Sequence, residues 1–307
     1  MSTQGDPGIM TSVAPFSAPR RILATGANRG LGLATALELA RKGHELILTA
    51  RRLEDVDPLK RRILAHIPHA VVEVRPLDLA SFGSIRRFAV SVVSCKAPIH
   101  VVLHNAGLVL PPPQRRLTVD GIEESLAVAA VGPLLLSLNL LPVLAQPSRL
   151  VGVNSALHAP HTYGDEVSFR FDDPHMESGY TATRAYKNAK LAQLWFLFEW
   201  ERRFGSQGLH ADAVSPGFVP STAAPRAKGL QRLLLRYVFP LLPFARTVDD
   251  AVRAIVRACE DDLSADGGRY FESEALAAAS ADARSTELAS EFWALAEGWL
   301  QRQPSSD

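Results

Sequence analysis

Tyr186 and Lys190 stand four apart in the run Tyr186-Lys187-Asn188-Ala189-Lys190, so a helix drawn through them carries both on one face. A free phenol titrates at about pH 10, and a cation held beside it favours the phenolate, which makes such a tyrosine usable as an acid or base nearer neutrality. Of the five tyrosines only Tyr186 has a lysine at that spacing; Tyr180 is followed by Arg184, Tyr163 by Val167, Tyr237 by Leu241 and Tyr270 by Glu274. Taken alone the pair reads first as an ordinary exposed helical pair. Its weight comes from what the rest of the chain places around it.

A second chemical feature opens the chain. Thr25-Gly26-Ala27-Asn28-Arg29-Gly30-Leu31-Gly32 follows the apolar run Ile22-Leu23-Ala24 and leads into Leu33, Ala34, Leu37 and Ala40 at helical spacing. That pattern predicts strand, glycine turn, helix. Glycines in such a turn let the main chain approach a ligand, and the N–H groups at the helix start attract a phosphate. A glycine triplet is a weak signal by itself; its place at the first strand-to-helix turn of an alternating chain makes it a strong one.

The elements that must position these residues alternate. Strands are predicted at residues 45–50, 71–77, 99–103, 150–153, 209–214 and 268–271 besides the first, with helices between them, the longest over residues 183–204. This implies a Rossmann-type α/β fold, doubly wound, with a mostly parallel sheet of about seven strands, helices on both faces and ligands beyond the carboxyl edge. We read residues 1–19 as a disordered tail and 20–307 as one domain, since no linker or repeat divides them. The segment 230–244 is apolar but punctuated by Arg232, Arg236, Pro240 and Pro243, which suits a mobile lid or a partner surface.

With 33 basic and 32 acidic residues the net charge is +1, which removes any global pull towards nucleic acid or an acidic membrane. The uncharged run 126–145 is long enough to raise the question of a membrane span, but Gly132-Pro133, Asn139 and Pro142 interrupt it between two strands, so a buried core helix is expected. Cys95 and Cys259 are too few for a disulfide framework and fit the cytoplasm. His158 and His161 have no third ligand at metal spacing, so no metal is expected.

The glycine turn, Asp78-Leu79, Asn105-Ala106-Gly107, Ser155, Tyr186 with Lys190, and Pro216-Gly217-Phe218-Val219 occur in that order, each at a strand end or just beyond. The chain resembles a short-chain dehydrogenase/reductase over about residues 20–271. Asp120-Gly121-Ile122-Glu123, Phe171-Asp172-Asp173 and Ala185-Tyr186 with Lys190-Leu191-Ala192 are similar to the retinol dehydrogenase-like branch. The resemblance implies hydride transfer between a nicotinamide and a hydrophobic alcohol, aldehyde or ketone. It makes Tyr186 the general acid/base, Ser155 the group that orients the substrate oxygen, and Lys190 both a ribose ligand and the cation that lowers the Tyr186 pKa. It assigns Gly26, Asn28, Arg29, Gly30, Leu31 and Gly32, Asp78 with Leu79, Asn105 to Gly107, and Pro216, Gly217 and Val219 to cofactor binding. It also implies that residues 158–179 and 223–244 line the substrate pocket, and it leaves a homo-oligomer open.

Two residues depart from that pattern. Ala129 stands where the family places an asparagine that helps hold a water in the proton relay, and His104 stands where an asparagine is common; His104 is expected to be structural. Ala129 keeps a rival reading open, a nucleotide-binding sensor or scaffold with weakened catalysis. The second strand ends Thr49-Ala50-Arg51-Arg52 with no acid until Glu54. A carboxylate there would hold ribose hydroxyls, whereas Arg51, with Arg29 expected on the same side, suits the 2′-phosphate; NADP is therefore expected over NAD.

Overall fold

The structure, a computed structural model, describes residues 19–159, 169–220, 229, 233–238, 242 and 245–301. The expected tail apart from Pro19, the middle of the 158–179 connection and most of the 223–244 segment lie outside these residues.

Eight strands form one sheet: β1 (Arg21–Ala24), β2 (Glu45–Ala50), β3 (Val72–Pro76), β4 (Ile99–His104), β5 (Leu144–Val153), β6 (Leu209–Ser215), β7 (Tyr270–Glu272) and β8 (Ala275–Ala277). Their order is β3-β2-β1-β4-β5-β6-β7-β8. Neighbours from β3 to β7 are parallel, and β8 returns antiparallel on β7. The order reverses between β1 and β4, which opens a crevice at the carboxyl edge of those two strands.

Side chains alternate across each strand, so both faces need a cover. Leu23, Val102, Leu150 and Ala211 point to one face, under α3 (Phe82–Val93), α5 (Gly132–Leu140), α6 (Ala182–Phe204) and α9 (Thr286–Leu300). Ile22, Leu48, Val151 and Val214 point to the other, under α1 (Gly30–Arg41), α2 (Val56–His66) and α7 (Val248–Glu260). The doubly wound architecture read from the alternation is therefore the one observed.

Two details differ from the expectation. β8 adds an eighth strand, which the run Glu274-Ala275-Leu276-Ala277-Ala278 conceals because short alanine-rich segments carry helical rather than strand propensity. The uncharged run also does not stay helical to residue 145. It begins as α4 (Glu124–Leu126), widens into a π turn at Ala127–Val131, continues as α5 and gives way to β5 at Leu144. Pro142 cannot continue the helix beyond its first turn. The stretch Glu124–Val143 is long and apolar enough to cross a membrane, and it packs into the core with 72% of its most apolar window buried.

The long helix α6 carries the Tyr-Lys pair, and its position is fixed from behind. Trp195 Nε1 donates to the Asp282 carbonyl at 2.7 Å, beside α8 (Ala281–Arg284), and Trp200 Nε1 donates to the Leu209 carbonyl at 3.0 Å. The Phe292 ring of α9 lies 5.9 Å from that of Trp195. Burying side chains of this size contributes roughly 1.5–3 kcal/mol each, so the register of α6 against the sheet is strongly specified.

Candidate active site

The glycine turn is tied to the far side of the crevice. Thr25 Oγ1 accepts the Ala106 N–H at 3.1 Å, and Asn105 Nδ2 donates to the Thr25 and Gly26 carbonyls at 2.9 and 3.1 Å. Gly26 has φ +69°, a left-handed value that favours glycine. A methyl on Gly32 would run into the Gly26 carbonyl and the Asn105 amide. Helix α1 starts at Gly30 with no acid in its first turn, so its leading N–H groups meet no carboxylate of their own helix. Asn28 is half-buried, Arg29 is exposed, and Leu31 packs against the second-face core. A close-packed cradle at the positive end of a helix fits the pyrophosphate of a dinucleotide.

Cations and carboxylates alternate beside this cradle. Arg51 Nε lies 3.2 Å from Asp78 Oδ2, while Asp78 Oδ1 accepts the Ala80 N–H at 3.0 Å. Leu79 turns its side chain into the core, so it offers the crevice its main chain only. Arg52 is engaged by Glu54 at 2.8 Å and Asp55 at 3.0 Å. The hydrogen bond from Arg52 holds the Asp55 carboxyl below its usual range, with a smaller contribution from the charge of Arg29. Arg51 directly follows β2 and holds Asp78, a pairing that the sequence does not announce, while exposed Arg29 acts electrostatically on Asp55.

The proton-handling groups meet where β5 ends. Tyr186 lies in the second turn of α6, whose start is capped by Thr181 Oγ1 accepting the Arg184 N–H at 3.1 Å. Its hydroxyl is within hydrogen-bonding reach of the Ser155 side chain. Ser155 is held in turn: Asn154 Oδ1 accepts its N–H at 2.8 Å, and His158 Nδ1 lies 2.8 Å from its carbonyl. Because His158 Nε2 accepts the Ser280 N–H at 3.1 Å, its proton belongs on Nδ1, and burial holds its pKa below the ordinary histidine value. His104 is buried, bonded to Ser137 Oγ at 2.9 Å and set edge-on to Phe196; burial pushes its pKa down to about 3.

Lys190 corrects one expectation. Its ammonium donates to the Val153 carbonyl at 2.6 Å and to Gln193 Oε1 at 3.1 Å, and burial lowers its pKa to about 8. The Tyr186 phenol is pushed above its ordinary value by burial, partly offset by Ser155, with no contribution from Lys190. Helical spacing places the two residues on one face, but the lysine head follows the nearest carbonyl oxygens. It comes instead under Gly107, where an added Cβ would lie 3.6 Å from Nζ.

The loop after β6 completes the edge. Pro216 and Val219 are buried and Gly217 exposed, and the Arg246 N–H donates to the Phe218 carbonyl at 2.8 Å. Ala129 lies buried within the π turn and brings no polar side-chain atom; such bulges recur at functional sites. Two hydroxyls converging on one point, beside a buried ammonium and a dinucleotide cradle, can hold an oxygen on which charge develops and exchange a proton with it.

The short chain dehydrogenase family model matches residues 20–159. Retinol dehydrogenase 12 of Mus musculus is 32% identical over 274 residues, covering 89% of this chain and 83% of its own. The chain belongs to the short-chain dehydrogenase family. Another relative of this short-chain dehydrogenase, the polyprenol dehydrogenase of Mus musculus, is 32% identical over 290 residues, 92% of this chain and 84% of that one. A solved structure of an uncharacterized protein from Mycobacterium paratuberculosis superposes with a TM-score of 0.73 at 29% identity, covering 94% of this chain and 96% of that one. Membership makes the protein an oxidoreductase of the short-chain type, a family that binds a nicotinamide cofactor.

Two site neighbours of this short-chain dehydrogenase, Asn154 and Gln193, are not legible as such in the sequence. Asn154 precedes Ser155 at the end of β5 and Gln193 follows Lys190 on α6, and neither carries a motif of its own. Gln193 had one available signal, its position three residues after Lys190, which places it next to that residue on the helix surface.

Proposed function

We propose that this chain is an NADP(H)-dependent oxidoreductase acting on a hydrophobic alcohol, aldehyde or ketone, with Tyr186 as general acid/base. The observation that carries this reading is the Tyr186 phenol beside the Ser155 side chain, which lowers its pKa, at the carboxyl edge of β5, across from the glycine cradle. The nicotinamide, when bound, supplies or accepts the hydride. Tyr186 gives its phenolic proton to the substrate oxygen as the carbonyl carbon is reduced, and Ser155 Oγ donates a hydrogen bond to the same oxygen. In oxidation the proton returns to Tyr186.

Burial pushes the Tyr186 phenol above its ordinary value, so at neutral pH it carries the proton that it donates in carbonyl reduction. Lys190 and the main chain of Gly107 are assigned to the ribose, Gly26 to Gly32 to the pyrophosphate, Arg29 and Arg51 to the 2′-phosphate, and Pro216 to Val219 to the nicotinamide amide. Exposed Val109, Leu110 and Phe218 on the same edge support an apolar substrate, as do relatives named for retinol and polyprenol. We place the protein in the cytoplasm, consistent with cysteines that are both free.

A second reading, a nucleotide-binding sensor or scaffold with weakened catalysis, draws on Ala129 and on the raised Tyr186 pKa. A panel of hydrophobic aldehydes, ketones and alcohols with NADPH and NADH separates the two. Turnover that is lost in Tyr186→Phe, with nucleotide binding kept, supports the enzyme. Nucleotide binding without turnover of any compound at high protein concentration supports the sensor.

A further inference from the structure

Gln193 lies on the face of α6 that meets the end of β5, and it is fully buried. Its Oε1 accepts from Lys190 Nζ at 3.1 Å and from Asn154 Nδ2 at 3.0 Å. Both partners are donors, so the amide orientation is settled: a flipped Gln193 would turn its NH2 against an ammonium and a second amide. Asn154 Nδ2 also donates to the Lys190 carbonyl at 2.9 Å, and Asn154 Oδ1 accepts the Ser155 N–H at 2.8 Å. One glutamine oxygen therefore joins the Lys190 head to the main chain of Ser155. The sheet admits α6 closely here, because a Cβ on Gly152 would run into Leu197, one turn beyond Gln193.

We propose that Gln193 is a positioning residue, whose Oε1 clamps the Lys190 ammonium and the Asn154 amide together and so fixes Lys190 and Ser155 relative to one another. The proposal rests on the reading of Lys190 and Ser155 as working residues of an oxidoreductase, but its geometry does not depend on the substrate. Val153 O and Gln193 Oε1 are the two acceptors that replace water around the ammonium. The titratable residues at this end of the sheet are Lys187 and Tyr186 on α6, His104 on Ser137 and Phe196 at the end of β4, and His158 on Ser155, Ser280 and Tyr270 after β5. None of them adds a charge to Lys190, whose pKa is lowered by burial alone. Removing one acceptor dipole must then disfavour the charged lysine, and replacing it by a carboxylate must favour it.

The test uses the full chain with 13C-labelled lysine and follows the Lys190 Cε resonance, assigned with Lys190→Met, from pH 6 to 11; the protein has six lysines to resolve. Gln193→Leu should lower the Lys190 midpoint by about 0.5–1 unit and Gln193→Glu should raise it by about 1 unit or more. The alkaline limb of kcat/KM against pH should move the same way in each variant. A residue that merely filled space would leave the midpoint unmoved in Gln193→Leu, and an unmoved or raised midpoint in that variant overturns the proposal. If Gln193→Leu fails to fold, Gln193→Met, of similar length and without the carbonyl acceptor, takes its place with the same expected fall. A parent protein that turns over no substrate sinks the enzymatic reading, while the lysine titration still judges Gln193.

Discussion

Replacing Arg51 by alanine should cut the preference for NADPH over NADH about five-fold. A guanidinium contributes about 1.5–3 kcal/mol to a phosphate through charge-assisted hydrogen bonds. Two features of the structure reduce that figure. The Arg51 side chain is 60% exposed, and Asp78 Oδ2 already holds its Nε at 3.2 Å. Solvent screening roughly halves the contact, and giving up an exposed ion pair costs a few tenths of a kcal/mol, which leaves about 1 kcal/mol, or about five-fold in Kd. Loss of Arg29 as well should bring the change in the ratio to about 25-fold if the two contacts are independent. Asp78→Asn should act oppositely, because it frees Arg51 while an amide oxygen can still accept the Ala80 N–H. Titrating NADPH and NADH calorimetrically into the parent and the three variants gives each ratio directly. Raising the salt from 50 to 500 mM should shrink the parental preference, since the contact is exposed. Equal affinity in the parent, or a ratio unchanged in the double variant, would refute the assignment of these arginines.

Tyr186→Phe should lower kcat by about 10² to 10⁴ with the nucleotide Kd nearly unchanged; a rate close to parental in single-turnover assays would remove the phenol from the reaction. Ala129→Asn should raise turnover or shift its pH profile without tightening nucleotide binding, and no change in either would mean that the proton takes a route independent of this position. The buried histidines predict acid sensitivity. His104 and His158 both have folded-state pKa values below that of the unfolded chain, so their protonation favours unfolding. Stability is complete above about pH 6.5 and falls below it, for His104 by about 1.4 kcal/mol per unit down to its lowered value. Urea midpoints at pH 7 and pH 5 should diverge less in His104→Asn than in the parent, and equal divergence would count against a neutral His104.

The parts of the molecule legible in the sequence are those set by local pattern. Alternating apolar runs placed seven strands, and the glycine turn, the strand-end residues and the Tyr186–Lys190 spacing all fell on one edge of the sheet, as strand direction requires. What stayed hidden depends on groups far apart in the chain. The lysine head is directed by the Val153 carbonyl, 37 residues earlier, and Arg51 is engaged by Asp78, 27 residues later. Helical spacing fixes where a Cβ lies, but a long flexible side chain ends wherever an acceptor is offered. Gln193 is hidden for the same reason, since nothing local distinguishes a glutamine facing a strand end from one facing water.

The back of α6 has a consequence for how the protein is made. Trp195, Phe196 and Trp200 are buried, and part of their cover comes from α8 and α9 near the other end of the sequence. The Asp282 carbonyl that receives the Trp195 indole lies 87 residues further on. At a synthesis rate of about 5–20 residues per second, the aromatic side of the helix bearing Tyr186 and Lys190 waits roughly 4–17 s on the ribosome before its cover emerges. During that interval the nascent chain displays a tryptophan-rich surface of the kind that holdase chaperones bind. A fragment stopped just before Ser280 should keep the whole nucleotide cradle in its sequence and still collect with chaperones or in the insoluble fraction.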